Sequence, residues 1–203
     1  LRDYHSYTRL SVADGIKKSS NILSAKVALT LGNQRFYRYM KAFKIGEQLG
    51  MDLPGEERGL LSPPEKWSKV SPTRIAIGQG VAVTPLQMLS VYNAIANDGV
   101  MMKPYVVDSI LADDGEVLYK AMPQIIANPI KKDIAVLMKQ LLVRVTENGG
   151  TGKMAAVDGY EVAGKTGSAQ KAVGGAYSST AHVATFAGFL PAGKPEVAVI
   201  IVV

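Results

Sequence analysis

The order of its predicted helices and strands is the feature that most constrains the fold of this 203-residue chain. Residues 1–100 have mainly helical patterns, residues 101–125 the pattern of a small hairpin, and residues 126–203 one helix followed by strands. Because the helices come first and the closely spaced strands come later, the sequence favours an α+β fold with an antiparallel sheet.

Three helices are predicted in the first hundred residues. The first covers residues 11–32, but a polar Ser-Ser-Asn triplet at residues 19–21 interrupts it. The second covers residues 33–50 and leads into a surface loop rich in Gly and Pro. The third covers residues 84–99, since it opens with Thr-Pro and is followed by Gly.

Strand-forming sequence dominates the second half. Residues 104–121 contain two β-rich runs about an Asp-Asp-Gly turn, which predicts a hairpin. An amphipathic helix then runs into a Gly-rich loop at residues 148–152. Three strand candidates follow, at residues 159–170, 181–191 and 195–203.

Composition excludes several classes of function. The net charge is +6, but the Lys and Arg residues are dispersed, so no nucleic-acid partner is predicted. The chain has no Cys, which rules out thiolate metal sites and disulfides. The only histidines, His5 and His182, lack metal-ligand spacing, so we predict neither a metal nor a cofactor.

The chain has no apolar run of eighteen residues, so it is predicted to be soluble as given. It lacks an initiator Met and stops in the apolar run PEVAVIIVV, and we therefore expect it to be a fragment of a larger protein.

One short stretch, GYEVAGKTGSAQK at residues 159–171, matches three catalytic patterns. Residues 159–166 match the P-loop, residues 165–167 are the KTG of serine acyl-transferases, and residues 168–171 match SxxK. A P-loop needs a helix opening at its Lys, but this segment reads as a strand with glycines beyond it. SxxK needs a helical turn, because three positions along a strand lead to the opposite face.

KTG on a strand is chemically sensible, because it combines a cation, a position without a side chain and a strand edge that can pair with a peptide. Its partner is the SxN triplet Ser19-Ser20-Asn21. An SxN triplet alone is more typical of a helix cap or an Asx turn. SxN followed by KTG, however, is the motif order of penicillin-binding proteins and serine β-lactamases.

The sequence between the two motifs resembles the transpeptidase domain of class B penicillin-binding proteins, and the division type more than the elongation type. The similarity lies in MDLPGE at residues 51–56 and IAIGQGVAVTPLQMLSVYNAIANDGVMMKP at residues 75–104. It implies that residues 1–203 are part of one transpeptidase domain with the penicillin-binding protein/serine β-lactamase fold, incomplete at both ends.

The resemblance implies a peptidoglycan D,D-transpeptidase, which cross-links stem peptides through an acyl-serine and which β-lactams inhibit. Ser19 would relay protons and Asn21 would bind the substrate amide. Lys165 would supply positive charge, and Thr166 and Ser168 would hold the substrate carboxylate, with the Ser168 amide in the oxyanion hole. Gly167 would leave room for the substrate backbone.

One part of the family pattern is missing. The SxxK that carries the nucleophile and its lysine base should precede SxN, and nothing before Ser19 matches it. We therefore expect the nucleophile to lie upstream of Leu1, and this chain alone to be inactive. The resemblance also implies an extracytoplasmic domain, anchored by an N-terminal segment outside this chain, that works with other cell-wall synthesis and division proteins.

Two alternatives stay open. A β-lactamase or D,D-carboxypeptidase of the same fold would transfer the acyl group to water and would need a base that activates water. A non-catalytic β-lactam sensor or scaffold would bind the same ligands without turnover.

Overall fold

A computed structural model describes residues 1–173 and 176–203. Its α-helices are α1 Val12–Lys17, α2 Asn21–Leu31, α3 Asn33–Ala42, α4 Ser71–Ile75, α5 Pro85–Ala96 and α6 Lys132–Thr146. Its strands are β1 Met101–Met102, β2 Ser109–Leu111, β3 Val117–Lys120, β4 Ile125–Ala127, β5 Ala163–Val173, β6 Ala176–Leu190 and β7 Val197–Val202.

The main sheet has the strand order β5-β6-β7, and both pairs are antiparallel. Lys165 pairs with Ala187, and Thr185 of β6 pairs with Val202 of β7. Helices therefore precede an antiparallel sheet, and the predicted α+β class is confirmed. The order also makes β5 an edge strand of this sheet, so alternate backbone groups of β5 point away from β6.

The hydrophobic core lies between the main sheet and helices α5 and α6. Phe189 of β6 is fully buried and packs with Ile95 of α5 and Leu142 of α6. Burial of these apolar side chains supplies the main driving force for folding. Ala163, the first residue of β5, belongs to the same core, which therefore anchors the strand that carries KTG.

The helix predictions are correct in position, with one error in length. The predicted helix over residues 33–50 ends at Ala42, because Lys44 and Gly46 have φ values of +61° and +78°, outside the helical region. The helix over 84–99 is confirmed, and Thr84 forms a capping box with Gln87.

The predicted hairpin is also confirmed, as the antiparallel pair β2 and β3. We call residues 105–121 the hairpin lobe. The Asp52 carboxylate accepts hydrogen bonds from the backbone N–H groups of Val106 and Val107, at 2.9 and 2.7 Å, and so attaches the lobe to the body. The pair formed by β1 and β4 was not predicted, since strands of two and three residues are too short to show a pattern.

The first strand of the main sheet starts later than predicted. It begins at Ala163, whereas the predicted strand began at Gly159. Gly159 has a φ of +81°, and Val157 forms an isolated bridge with Tyr160, so residues 157–160 make a tight turn before the strand.

Candidate active site

The SxN triplet lies in a sharp break between two helices. The helix α1 ends at Lys17, and Ser19 takes a left-handed conformation with φ of +56°. Ser20 then caps α2, because its Oγ accepts a hydrogen bond from the N–H of Leu23 at 3.0 Å. Gly15 allows α1 and α2 to approach, since a Cβ there would lie 2.1 Å from a Leu23 methyl. The break leaves the Ser19 side chain exposed, outside both helices.

Ser20 is the buried member of the triplet, with 3% of its surface exposed. Its hydroxyl donates a hydrogen bond to the Asp3 carboxylate at 2.7 Å, and Asp3 also accepts the N–H of Ile22 at 2.9 Å. A carboxylate at a helix N-terminus stabilises the helix by interacting with its free N–H groups and its dipole. Ser20 and Asp3 therefore fix where α2 starts.

Lys165 extends from β5 to the SxN break, and we call the region between these two segments, around Ser19 and Lys165, the motif cleft. Its Nζ donates hydrogen bonds to the Ser19 Oγ at 2.7 Å and to the Thr166 carbonyl oxygen at 3.0 Å. The structure thus brings Lys165 and Ser19 into contact, the residues to which the resemblance assigns positive charge and proton relay, although 146 positions separate them.

Burial changes the acidity of this lysine. It lowers the pKa of Lys165 from 10.5 to about 8, because an ammonium group loses hydration inside the cleft. The group is still mostly protonated at neutral pH, but it gives up its proton more readily than a surface lysine. Since Lys165 donates to the Ser19 oxygen, the Ser19 proton is free to point into the cleft. This arrangement can both attract an anion and pass a proton.

The other KTG-segment positions lie along the same strand. The Thr166 hydroxyl donates to the Thr151 hydroxyl at 2.8 Å. Gly167 pairs with Thr185, and a Cβ at Gly167 would come 2.4 Å from the Thr185 Oγ1. Packing within the sheet thus already explains this glycine. Ser168 is exposed on the strand.

Asn21 is placed differently from the other motif residues. It is the first residue of α2, and its Nδ2 donates to the Arg2 carbonyl oxygen at 3.2 Å. Asn21 therefore holds the N-terminal segment in this structure, and its predicted contact with a substrate amide stays a prediction.

A broad apolar groove of about 920 Å³ lies next to the KTG strand. Gly167 and Ser168 form part of its wall. The rest is largely aliphatic and comes from the helices and the main sheet, including Val12, Leu23, Ile75, Met88 and Ile200. A polar cleft and an apolar groove thus share one strand.

The competing interpretations of residues 159–171 do not fit the structure. A P-loop would open a helix at Lys165, but residues 163–173 are a strand. Ser168 and Lys171 also lie on this strand, which lacks the helical turn that SxxK requires. KTG is the pattern whose structural setting matches its chemistry.

The described residues form neither a metal site nor a membrane-spanning helix. Across residues 1–173 and 176–203, no three His, Cys, Asp or Glu side chains are grouped so that they could hold a metal ion. Over the same ranges, no helix is long and apolar enough to cross a membrane.

Sequence reasoning missed three residues that organise the site. Thr151 contacts Thr166, Lys18 donates to the Gly149 carbonyl oxygen at 2.6 Å, and Asp3 supports the α2 cap. The Gly-rich composition of residues 148–152 marked a loop, but no local signal showed that this loop reaches both motifs.

The sequence is similar to those of known penicillin-binding proteins. Residues 2–203 match the model of the penicillin binding protein transpeptidase domain. The chain is 38% identical to penicillin-binding protein PbpB of Mycolicibacterium smegmatis over 187 residues, which are 88% of this chain and 29% of that protein. It is 34% identical over all 203 residues to a probable peptidoglycan D,D-transpeptidase, PenA of Neisseria gonorrhoeae, and covers 33% of it.

The fold is similar to solved structures as well. A crystal structure of penicillin binding protein 3 from Mycobacterium tuberculosis, complexed with aztreonam, matches with a TM-score of 0.92 at 33% identity. The match covers 100% of this chain and 47% of that one. The chain thus spans about a third of the length of the curated relatives named above.

Proposed function

The chain belongs to the penicillin-binding protein transpeptidase family, and from this membership we propose that it carries the SxN and KTG part of a peptidoglycan D,D-transpeptidase site. The observation that supports this most directly is the 2.7 Å hydrogen bond between Lys165 Nζ and Ser19 Oγ. It joins a partly buried cation, which can stabilise negative charge, to an exposed hydroxyl, which can transfer a proton, and acyl transfer to a serine uses both functions.

The proposed reaction has two steps. A serine oxygen attacks the carbonyl of a D-Ala-D-Ala stem peptide, the amide bond breaks, and the terminal D-alanine leaves after its nitrogen gains a proton. The amine of a second stem peptide then attacks the serine ester, forming a new amide and returning the serine hydroxyl. Ser19 passes the proton to the leaving nitrogen in the first step, and Lys165 stabilises negative charge.

The KTG strand is proposed to bind the substrate. Thr166 and Ser168 hold the carboxylate of the peptide or of a β-lactam, and Asn21 turns toward the substrate amide. The edge position of β5 supports this role, because an edge strand can pair with an extended peptide. That penicillin binding protein 3 has been solved with aztreonam and with ampicillin supports β-lactams as ligands.

The nucleophilic serine and its lysine base are proposed to lie outside these 203 residues. The chain's SxxK match, Ser168 to Lys171, is on a strand, where the lysine is poorly placed to act as base. The apolar groove beside Ser168 offers a surface on which an amphipathic helix carrying the nucleophile can pack.

The place of action is proposed from family membership. We infer an extracytoplasmic domain of a membrane-anchored protein that acts in septal cell-wall synthesis with other division proteins. The anchor would belong to a segment outside this chain.

The lifetime of the penicillin adduct tests this function. The whole protein should form an adduct that lasts hours, and in a separate assay with a D-Ala-D-Ala peptide and an amine acceptor it should release D-alanine and form the new amide. Release of D-alanine without the new amide would identify a D,D-carboxypeptidase. Hydrolysis of the adduct within seconds would instead identify a β-lactamase. An adduct without any D-alanine release would identify a sensor or scaffold.

A further inference from the structure

The Gly-rich loop after α6 folds back tightly on the helix that precedes it. We call residues 147–152 the clamp loop. The N–H of Gly152 donates to the Val145 carbonyl oxygen at 2.9 Å. A Cβ at Gly150 would lie 2.1 Å from that same oxygen, so only glycine fits at this point of the turn. The loop is therefore held in a defined conformation by α6.

One side of the clamp loop is bound to the helix α1 and the SxN break. Lys18, directly before Ser19, donates from Nζ to the Gly149 carbonyl oxygen at 2.6 Å. Lys17 forms an ion pair with Glu147 at 3.0 Å, and its carbonyl oxygen accepts the N–H of Thr151 at 3.3 Å. These three contacts position the residues immediately before Ser19.

The other side of the clamp loop is bound to the KTG strand. Its contact is the 2.8 Å hydrogen bond between the hydroxyls of Thr151 and Thr166. Thr166 directly follows Lys165, whose Nζ binds both Ser19 and the Thr166 carbonyl oxygen. One loop thus contacts the chain next to the cation and next to the relay serine.

We propose that the clamp loop sets the distance between Ser19 and Lys165, with Lys18 and Thr151 as positioning residues for the transpeptidase reaction. This inference rests on the proposed function. A hydroxyl group can rotate and so change from hydrogen-bond donor to hydrogen-bond acceptor toward the same neighbour. When a carboxylate binds, Thr166 turns its proton toward the carboxylate, and Thr151 donates to Thr166 in its place. Thr151 thereby holds Thr166 in the geometry that binds the anion.

The two ends of the clamp loop have different effects. Thr151 acts through Thr166, so losing its hydroxyl should weaken the initial binding of a penicillin carboxylate more than it slows the acylation step. Lys18 acts through the loop on the Ser19 position, so losing its ammonium group should slow the acylation step. Because both contacts hold the same loop, their losses should not be independent.

The test measures the dissociation constant and the acylation rate constant of the whole protein with a penicillin. Thr151→Val keeps the branched shape and removes the hydroxyl, whereas Thr151→Ser keeps the hydroxyl. We expect the dissociation constant to be about ten times larger in Thr151→Val, which corresponds to the loss of one hydrogen bond. In Thr151→Ser both constants should stay near their wild-type values. Thr30→Val, on the exposed face of α2, is the matched control and should change neither constant.

Three results would overturn the proposal. The first is a wild-type dissociation constant in Thr151→Val, and the second is an equal increase of that constant in Thr151→Val and Thr151→Ser. The third is full additivity when Lys18→Met is combined with Thr151→Val, measured on the acylation rate constant divided by the dissociation constant. Thr151→Ala replaces the valine variant if the latter does not fold. Lys165→Ala in the same assay tests the proposed function separately from the role of the clamp loop. An unchanged acylation rate constant in that variant would contradict the proposed function itself.

Discussion

The motif cleft and the hairpin lobe are held together in opposite ways. In the cleft, the Lys165–Ser19 contact spans 146 positions and the Lys18–Gly149 contact spans 131. In the hairpin lobe, the strands pair with their chain neighbours, and a single carboxylate, that of Asp52, accepts the backbone hydrogen bonds described above. The cleft therefore depends on the whole fold, whereas the lobe is a local structure attached to it.

Burial follows the same division. Every residue of β2 and β3 is exposed, including Leu118 at 63%. A two-stranded hairpin without a packed face is marginally stable by itself. Around the cleft, by contrast, the exposed Ser19 lies between Ser20, which is buried, and Lys165, which is half-buried. Changes in the cleft should thus alter chemistry or global stability, and changes in the lobe should stay local.

The largest effect is expected from Lys165→Ala. It removes the cation that binds Ser19, so acylation of the whole protein by a penicillin should slow by about two orders of magnitude or more. The melting temperature should change little, because a partly buried, desolvated ammonium group contributes little to stability. An unchanged acylation rate would show that the cleft is no more functional than the lobe.

The pH dependence of acylation should show the state of Lys165. Its pKa is lowered to about 8 by burial, so the cation is present below that pH and is lost as the pH rises through it. The rate should fall on the alkaline side of about pH 8. In Lys165→Arg, which stays charged, this fall should be absent. If the acylation rate fell with the same midpoint pH in both proteins, the fall would be due to a group other than Lys165.

Ser20→Ala should produce a moderate loss of stability. The change removes the α2 cap and leaves the Asp3 carboxylate without its hydroxyl donor. The free energy of unfolding should drop by about 1–2 kcal/mol, measured by urea denaturation. Ser71→Ala is the comparison, because it removes a serine whose Oγ accepts the N–H of Ser68 in an exposed turn. If both variants lost the same free energy of unfolding, the burial of Ser20 and its bond to Asp3 would not matter more than an exposed serine contact.

Asp52→Ala should have the smallest effect on activity. Removing the carboxylate frees the N–H groups of Val106 and Val107, so hydrogen exchange should become faster in residues 105–121. Penicillin acylation should stay at the wild-type rate. A drop in acylation would mean that the hairpin lobe is coupled to the cleft.

Local patterns predicted the parts of the molecule that local contacts form. The Thr84 cap, the Asp-Asp-Gly turn and the strand around KTG follow from neighbouring residues, and all three are confirmed. The α3 error arose because a left-handed Lys44 has no recognisable sequence signal. The α+β class followed from the order of the elements.

The site was predictable only in part, for a physical reason. Motif order associated Ser19 with Lys165, and the structure puts them in contact. Thr151, Lys18 and Asp3 take part through contacts between segments far apart in the chain, which no periodicity encodes. The Asn21 side chain binds the Arg2 carbonyl, a contact that depends on the path of the N-terminal segment.

The position of the covalent penicillin adduct tests the central claim most directly. If Lys165 to Gly167 form the substrate-binding strand, digestion and mass spectrometry of the labelled whole protein should find the adduct on a serine outside residues 1–203. Ser168→Ala should still be labelled. An adduct on the peptide containing Ser168, lost in Ser168→Ala, would contradict the account and make Ser168 the nucleophile.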